Sequence, residues 1–89
     1  MRQVPLPELL TKRRKELDLT QQVIADRAGL SKMGISHLEN GKAKPSEKII
    51  LAVADAYELD ADVVALAAYG LHFEPEPATP PRQLARAVG

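Results

Sequence analysis

The chain has no cysteine and no tryptophan, and only one phenylalanine and two tyrosines among its 89 residues. Without cysteine there can be no disulfide and no thiolate metal site, which suits a reducing compartment. Aromatics make up 3% of the residues against 45% hydrophobic overall, so a core must be built from Leu, Ile, Val and Ala. That supply favours packed helices over strands, which draw on β-branched and aromatic side chains. The first twenty residues lack the apolar stretch of a signal peptide, and no later run reaches membrane-spanning length. A cytoplasmic protein is therefore expected. Also missing are a carboxylate pair, a nucleophile with its base, a phosphate-cradling glycine loop and a cluster of metal ligands. The chain is not read as an enzyme, and no cofactor or metal is expected.

Net charge is absent too: twelve Lys and Arg balance twelve Asp and Glu. The distribution is uneven, however. Residues 1–48 hold ten basic and six acidic side chains, while residues 49–89 hold two and six. The first half is thus +4 and the second −4. A polyanion could meet the basic half with the acidic half turned away, although ordinary surface charge can segregate in the same way. At 9.7 kDa there is room for one domain and a short tail.

Pro5-Leu6-Pro7 gives a rigid start to a first helix whose Leu6, Leu10 and Leu17 recur at helical spacing. Thr20 is a good N-cap for a second helix that should stop at Ala28-Gly29, where glycine adopts the left-handed conformation cheaply. Ser31 caps a third helix, KMGISHLEN, which ends at Gly41. Pro45-Ser46 opens a fourth, with Ile50, Val53, Ala54 and Tyr57 facing inward. Asp60 caps a fifth, and an apolar segment through Val63, Val64, Ala67 and Ala68 runs on to Phe73. No strand is expected. Residues 1–73 read as the domain, and residues 74–89 as a Pro-rich tail whose last stretch, RQLARAVG, has the length for a short terminal helix.

The stretch from Gln21 to Asn40 is the informative part. Two short helices joined tightly need a small residue at their crossing, supplied by Ala25, and a positive φ in the turn, supplied by Gly29. Ile35 plugs the space between them, and Ile24, Ala28, Leu30 and Leu38 complete the buried faces. A helix-turn-helix needs this combination, whereas a generic helical hairpin needs apolar periodicity alone. The text LTQQVIADRAGLSKMGISHLENGKAKPS resembles the Cro/phage-repressor type of helix-turn-helix, the xenobiotic-response-element family of bacterial and phage regulators. The pieces LTQ, AG-LS, I-H-LENG and PS fall at the family's spacing, and the similarity extends over about five helices, Leu6 to Leu71. The resemblance implies an all-α, five-helix, lambda-repressor-like DNA-binding domain, with the motif at residues 21–40. It also implies a bacterial cytoplasm or a phage-infected cell as the setting. Two positions depart: the family often has glycine where this chain has Asp18 and Glu58.

What the resemblance implies for individual residues follows. The exposed start of the third helix, Lys32, Met33, Ser36 and His37, would read base edges, while Ile35 and Leu38 point into the core. Lysine can donate to guanine, and methionine can contact a thymine methyl. His37 is not expected to bind metal, since no second ligand lies one turn away. Thr20, Gln21, Asn40, Lys42 and Lys44 would touch phosphates, Gln21 beside the positive end of its helix. N-capping alone would also account for Thr20. Arg14 and Glu39 match an arginine–glutamate pair that ties the first helix to the third, which leaves Arg13 as the neighbour expected in solvent or near DNA.

One module this small covers too little DNA to be selective alone, so a homodimer on a two-fold operator is expected. The apolar surplus at Val63, Leu66, Tyr69, Leu71 and Phe73 is the candidate contact, unless it only closes the core. The expected function is sequence-specific double-stranded DNA binding by a transcriptional regulator, a repressor before an activator. The alternative is an antitoxin-like or adaptor protein that binds a protein partner through the tail. The chain reads either as a compact stand-alone regulator or as the head of a longer one.

Overall fold

The structure, a computed structural model, describes residues 1–76. In chain order they form β1 (Arg2–Gln3), α1 (Leu6–Glu16), α2 (Gln21–Ala28), α3 (Lys32–Glu39), α4 (Glu47–Ala56), α5 (Ala61–Ala68) and β2 (Phe73–Glu74). Three helices begin at short side chains that accept from first-turn amides, as capping requires. Thr20 Oγ1 accepts from Val23 N at 3.2 Å, Ser31 Oγ from Gly34 N at 3.0 Å, and Ser46 Oγ from Ile49 N at 3.5 Å. Asp60 stands at the N-cap of α5 but makes no such bond. The helix exits need left-handed backbone. Gly29 (φ +69°), Gly41 (+74°) and Gly70 (+74°) supply it without strain, whereas Asp18 (+57°) and Glu58 (+55°) adopt it as non-glycine residues.

Leu6, Leu9 and Leu10 of α1 pack with Ile24 and Ala25 of α2, Ile35 and Leu38 of α3, Ile50, Val53 and Ala54 of α4, and Val64 and Ala67 of α5. Tyr57, just past α4, is fully buried with them. Leu17, expected on the buried stripe of α1, lies beyond the helix end and is only half-buried; Leu9 takes the place in the core. The i, i+3, i+4 geometry selects positions 6, 9 and 10 for one face of an eleven-residue helix.

The expectation of no strand is overturned. β1 pairs antiparallel with β2, Arg2 opposite Glu74 and Gln3 opposite Phe73, and Val4 N extends the ladder to His72 O at 2.9 Å. Gln3 Nε2 also donates to Gly70 O at 2.8 Å. Two-residue strands carry no readable alternation, and their partner is some seventy positions away, so nothing local announces them. Glu74, grouped with the tail by its prolines, therefore lies in the ribbon. The terminal-helix expectation falls outside the described residues. Among the described residues no helix is long and apolar enough to cross a membrane.

Candidate nucleic-acid interface

The turn between α2 and α3 is set by Gly29, whose N–H and that of Leu30 both return to Ala25 O. Ala25 and Ile35 are fully buried where the helices meet, and Ile24 and Leu38 lie beside them. Ala28 and Leu30 are half-buried against the same cluster. With Ile35 and Leu38 turned inward, the remaining positions of α3 face out. Lys32 and Met33 are exposed, Met33 at 67%, and Ser36 and His37 are half-exposed. Asn40 Nδ2 donates to Ser36 Oγ at 3.2 Å. Thr20, Asn40, Lys42 and Lys44 are exposed around these residues, and Gln21 is half-buried at the start of α2. Among the described residues, no carboxylate lies within 4 Å of the ammonium groups of Lys32, Lys42 or Lys44.

Behind this surface sits Glu39, the buried charged side chain of the described residues at 8% exposure. Arg14 meets it in a fork, with Nε 2.9 Å from Oε2 and 3.1 Å from Oε1, and Nη2 3.0 Å from Oε1. The free corner of the guanidinium donates to Leu19 O at 3.0 Å. Glu39 also accepts from Tyr57 Oη at 2.6 Å, Thr11 Oγ1 at 3.2 Å and Gln21 Nε2 at 3.3 Å. One carboxylate thus joins α1, α2 and the end of α4 to the last residue of α3. Burial by itself pushes the Glu39 carboxyl up, but the bonds from Arg14, Tyr57 and Gln21 and the charge of Arg14 outweigh it, and the group lies below the usual carboxylate range. The Arg14 guanidinium is raised by its bonds to Glu39, against its own burial and with help from the Glu39 charge. Tyr57 is raised by burial and then by donating to Glu39, so its hydroxyl remains a donor at any physiological pH.

Arg13 is not the solvated or DNA-facing neighbour that the sequence suggests. Its Nε donates to Tyr57 O and its Nη2 to Glu58 O, both at 3.1 Å, so it satisfies the carbonyls at the end of α4. Arg27 reaches the same corner, bonding Ala56 O at 3.3 Å and the Glu58 carboxylate at 3.0 Å. These contacts anchor the segment that contains the left-handed Glu58. The carbonyl acceptors are invisible to a reading of side-chain types alone.

Of the apolar surplus around α5, Leu66, Tyr69, Leu71 and Phe73 are exposed, Tyr69 at 67%. Val63 is half-buried and lines a groove together with Leu9, Lys12 and Arg13 of α1. Leu51 of α4, absent from the sequence-based set, is 64% exposed and shares a groove with Ala61, Ala65 and Tyr69. Its neighbour Ile50 points inward, and periodicity did not mark Leu51 as an exposed apolar side chain.

A family model described as helix-turn-helix matches residues 10–64. The solution structure of the DNA-binding domain of the P22 c2 repressor is 26% identical, with a TM-score of 0.68, covering 73% of this chain and 86% of that one. The crystal structure of the P22 c2 repressor in complex with a synthetic operator is 26% identical, with a TM-score of 0.65, covering 68% and 92% respectively. No curated protein matches the chain significantly. The motif, its turn and the helices around it make this chain a member of the helix-turn-helix family, of the Cro/phage-repressor, xenobiotic-response-element type.

Proposed function

We infer that the chain is a sequence-specific double-stranded DNA-binding transcriptional regulator, a repressor like the P22 protein it resembles, and that α3 enters the major groove. The observation that carries this reading is the outward face of α3, where Lys32 and Met33 project from a helix whose other side is locked by Ile35, Leu38 and Glu39. A free ammonium and an apolar thioether suit guanine acceptors and a thymine methyl. Ser36 accepts from Asn40, which leaves its own hydroxyl proton to donate to a base acceptor.

Lys42, Lys44, Asn40, Thr20 and Gln21 hold the phosphates in this scheme. Gln21 gives one amide N–H to Glu39 and keeps a second N–H, beside the amide-rich start of α2, for a phosphate oxygen. Two copies bind a two-fold operator through Leu66, Tyr69, Leu71, Phe73 and the adjoining Leu51, because burying that exposed apolar surface drives association.

Binding-site selection with the purified chain at physiological salt tests the reading. A motif with two symmetric half-sites is expected; enrichment of no sequence above random duplex would overturn it. If the protein serves instead as an adaptor, removing residues 77–89, which leaves the β2 pairing intact, abolishes partner binding while an operator remains unrecognised.

A further inference from the structure

Specificity in this fold depends on where α3 is aimed, and the aim is set from inside. Glu39 ends α3, so any group that fixes its carboxylate fixes the rotation of the helix that carries Lys32, Met33, Ser36 and His37. Two of its donors come from the charged fork of Arg14 and from Gln21 at the surface. The shortest contact is different in kind: a neutral phenol, at 2.6 Å, from a fully buried ring beyond α4, an element with no residue on the base-reading face. The ring is held by the core, and the backbone of residue 57 by Arg13, so its hydroxyl has little freedom.

We propose that Tyr57 is a positioning residue for base recognition: its buried hydroxyl, holding Glu39 Oε2, sets the angle at which α3 meets the groove. This rests on the reading of α3 as the recognition helix. Arg14 grips both carboxylate oxygens from α1, and the hydroxyl closes on Oε2 from the far side, just past α4, so the carboxylate is tied to two elements at once and the end of α3 with it. Thr11, donating to Oε1 from α1, assists on the Arg14 side.

The test is Tyr57→Phe, which removes one oxygen and keeps the packed ring. Binding is measured well below the melting temperature, on the selected operator and on random duplex of equal length. Base contacts carry the operator preference and phosphate contacts do not, so the preference should fall by about fivefold while random-duplex binding stays unchanged. Combining Tyr57→Phe with Lys32→Ala should give less than the product of the two losses, because a misaimed lysine has less left to lose. A residue that merely stabilises the fold would lower the melting temperature, leave the preference intact and multiply with Lys32→Ala, and that result overturns the proposal. If Tyr57→Phe does not fold, Thr11→Val applies the same comparison from the other side of the carboxylate, and an unchanged preference there counts equally against it. A wild-type chain with no preference at all refutes the DNA-reading role itself; a preference that survives Tyr57→Phe refutes only this inference.

Discussion

Arg14→Met is the sharpest test of how the recognition helix is held. The substitution keeps an unbranched apolar stem and removes the guanidinium that forks onto Glu39 and donates to Leu19 O. Glu39 is then left with Tyr57, Thr11 and Gln21 as neutral donors, but with no opposite charge in its buried site. The side chains of the pair are 17% and 3% exposed, so solvent screens them little. Stranding one buried charge costs roughly 3–5 kcal/mol. A domain of this size has on the order of 5–10 kcal/mol of stability in all, so the variant should lose about half of it and melt roughly 15–30 °C lower.

The loss should depend on pH in a particular sense. In the parent, the Glu39 carboxyl lies below its unfolded value, so it stabilises the fold above the ordinary carboxylate range and that contribution fades as the pH falls through the folded value. Without Arg14 the carboxyl rises, because burial is then opposed only by the Tyr57 and Gln21 bonds, and the variant carries less of that contribution. The gap between parent and variant should therefore be full at neutral pH and shrink on acidification. Urea titrations followed by circular dichroism from pH 7 to pH 3 measure it. A gap under about 1 kcal/mol at pH 7, the worth of a surface pair, or a gap that does not change on acidification, would refute the account of Glu39 as a buried, charge-dependent tie.

Other outcomes are expected with it. Lys32→Ala should change the preferred base at one position in each half-site, whereas Lys42→Ala should weaken all duplexes alike and flatten the log–log salt dependence by about 0.9, as measured by fluorescence anisotropy across salt. Gly29→Ala meets no neighbour within 4 Å, so its penalty is the left-handed backbone alone, about 1 kcal/mol by denaturant unfolding; a far larger loss would mean the turn is packed more tightly than described. Tyr69→Glu, on an exposed position, should leave the melting temperature of the monomer nearly unchanged but shift sedimentation toward monomer and reduce operator affinity.

Much of this fold is legible locally. Thr20, Ser31 and Ser46 announce helix starts by the chemistry of a short acceptor, and Gly29 announces the turn by its backbone freedom. Asp18 and Glu58 stand where glycine would be expected, and both adopt the positive φ implied by that comparison. What escapes is what depends on distant partners. Arg13 and Arg14 are adjacent and chemically identical, yet one meets a carboxylate and the other two main-chain carbonyls, because a rotation of 100° along α1 faces them to different helices. Tyr57 reads as an inward-facing aromatic, and only the packed structure brings its hydroxyl to Glu39. Leu51 and Ile50 are alike in composition, and the geometry alone turns one out and the other in.

The pairing of Arg2 with Glu74 brings the first and last elements of the described fold side by side. A short peptide joining the two would close the backbone into a ring with little distortion, and new ends could then be opened in the exposed Lys42–Lys44 loop. Tension applied at both ends would peel that ribbon one rung at a time before it loaded any helix. Whatever is fused after Glu76 therefore starts out next to the amino terminus.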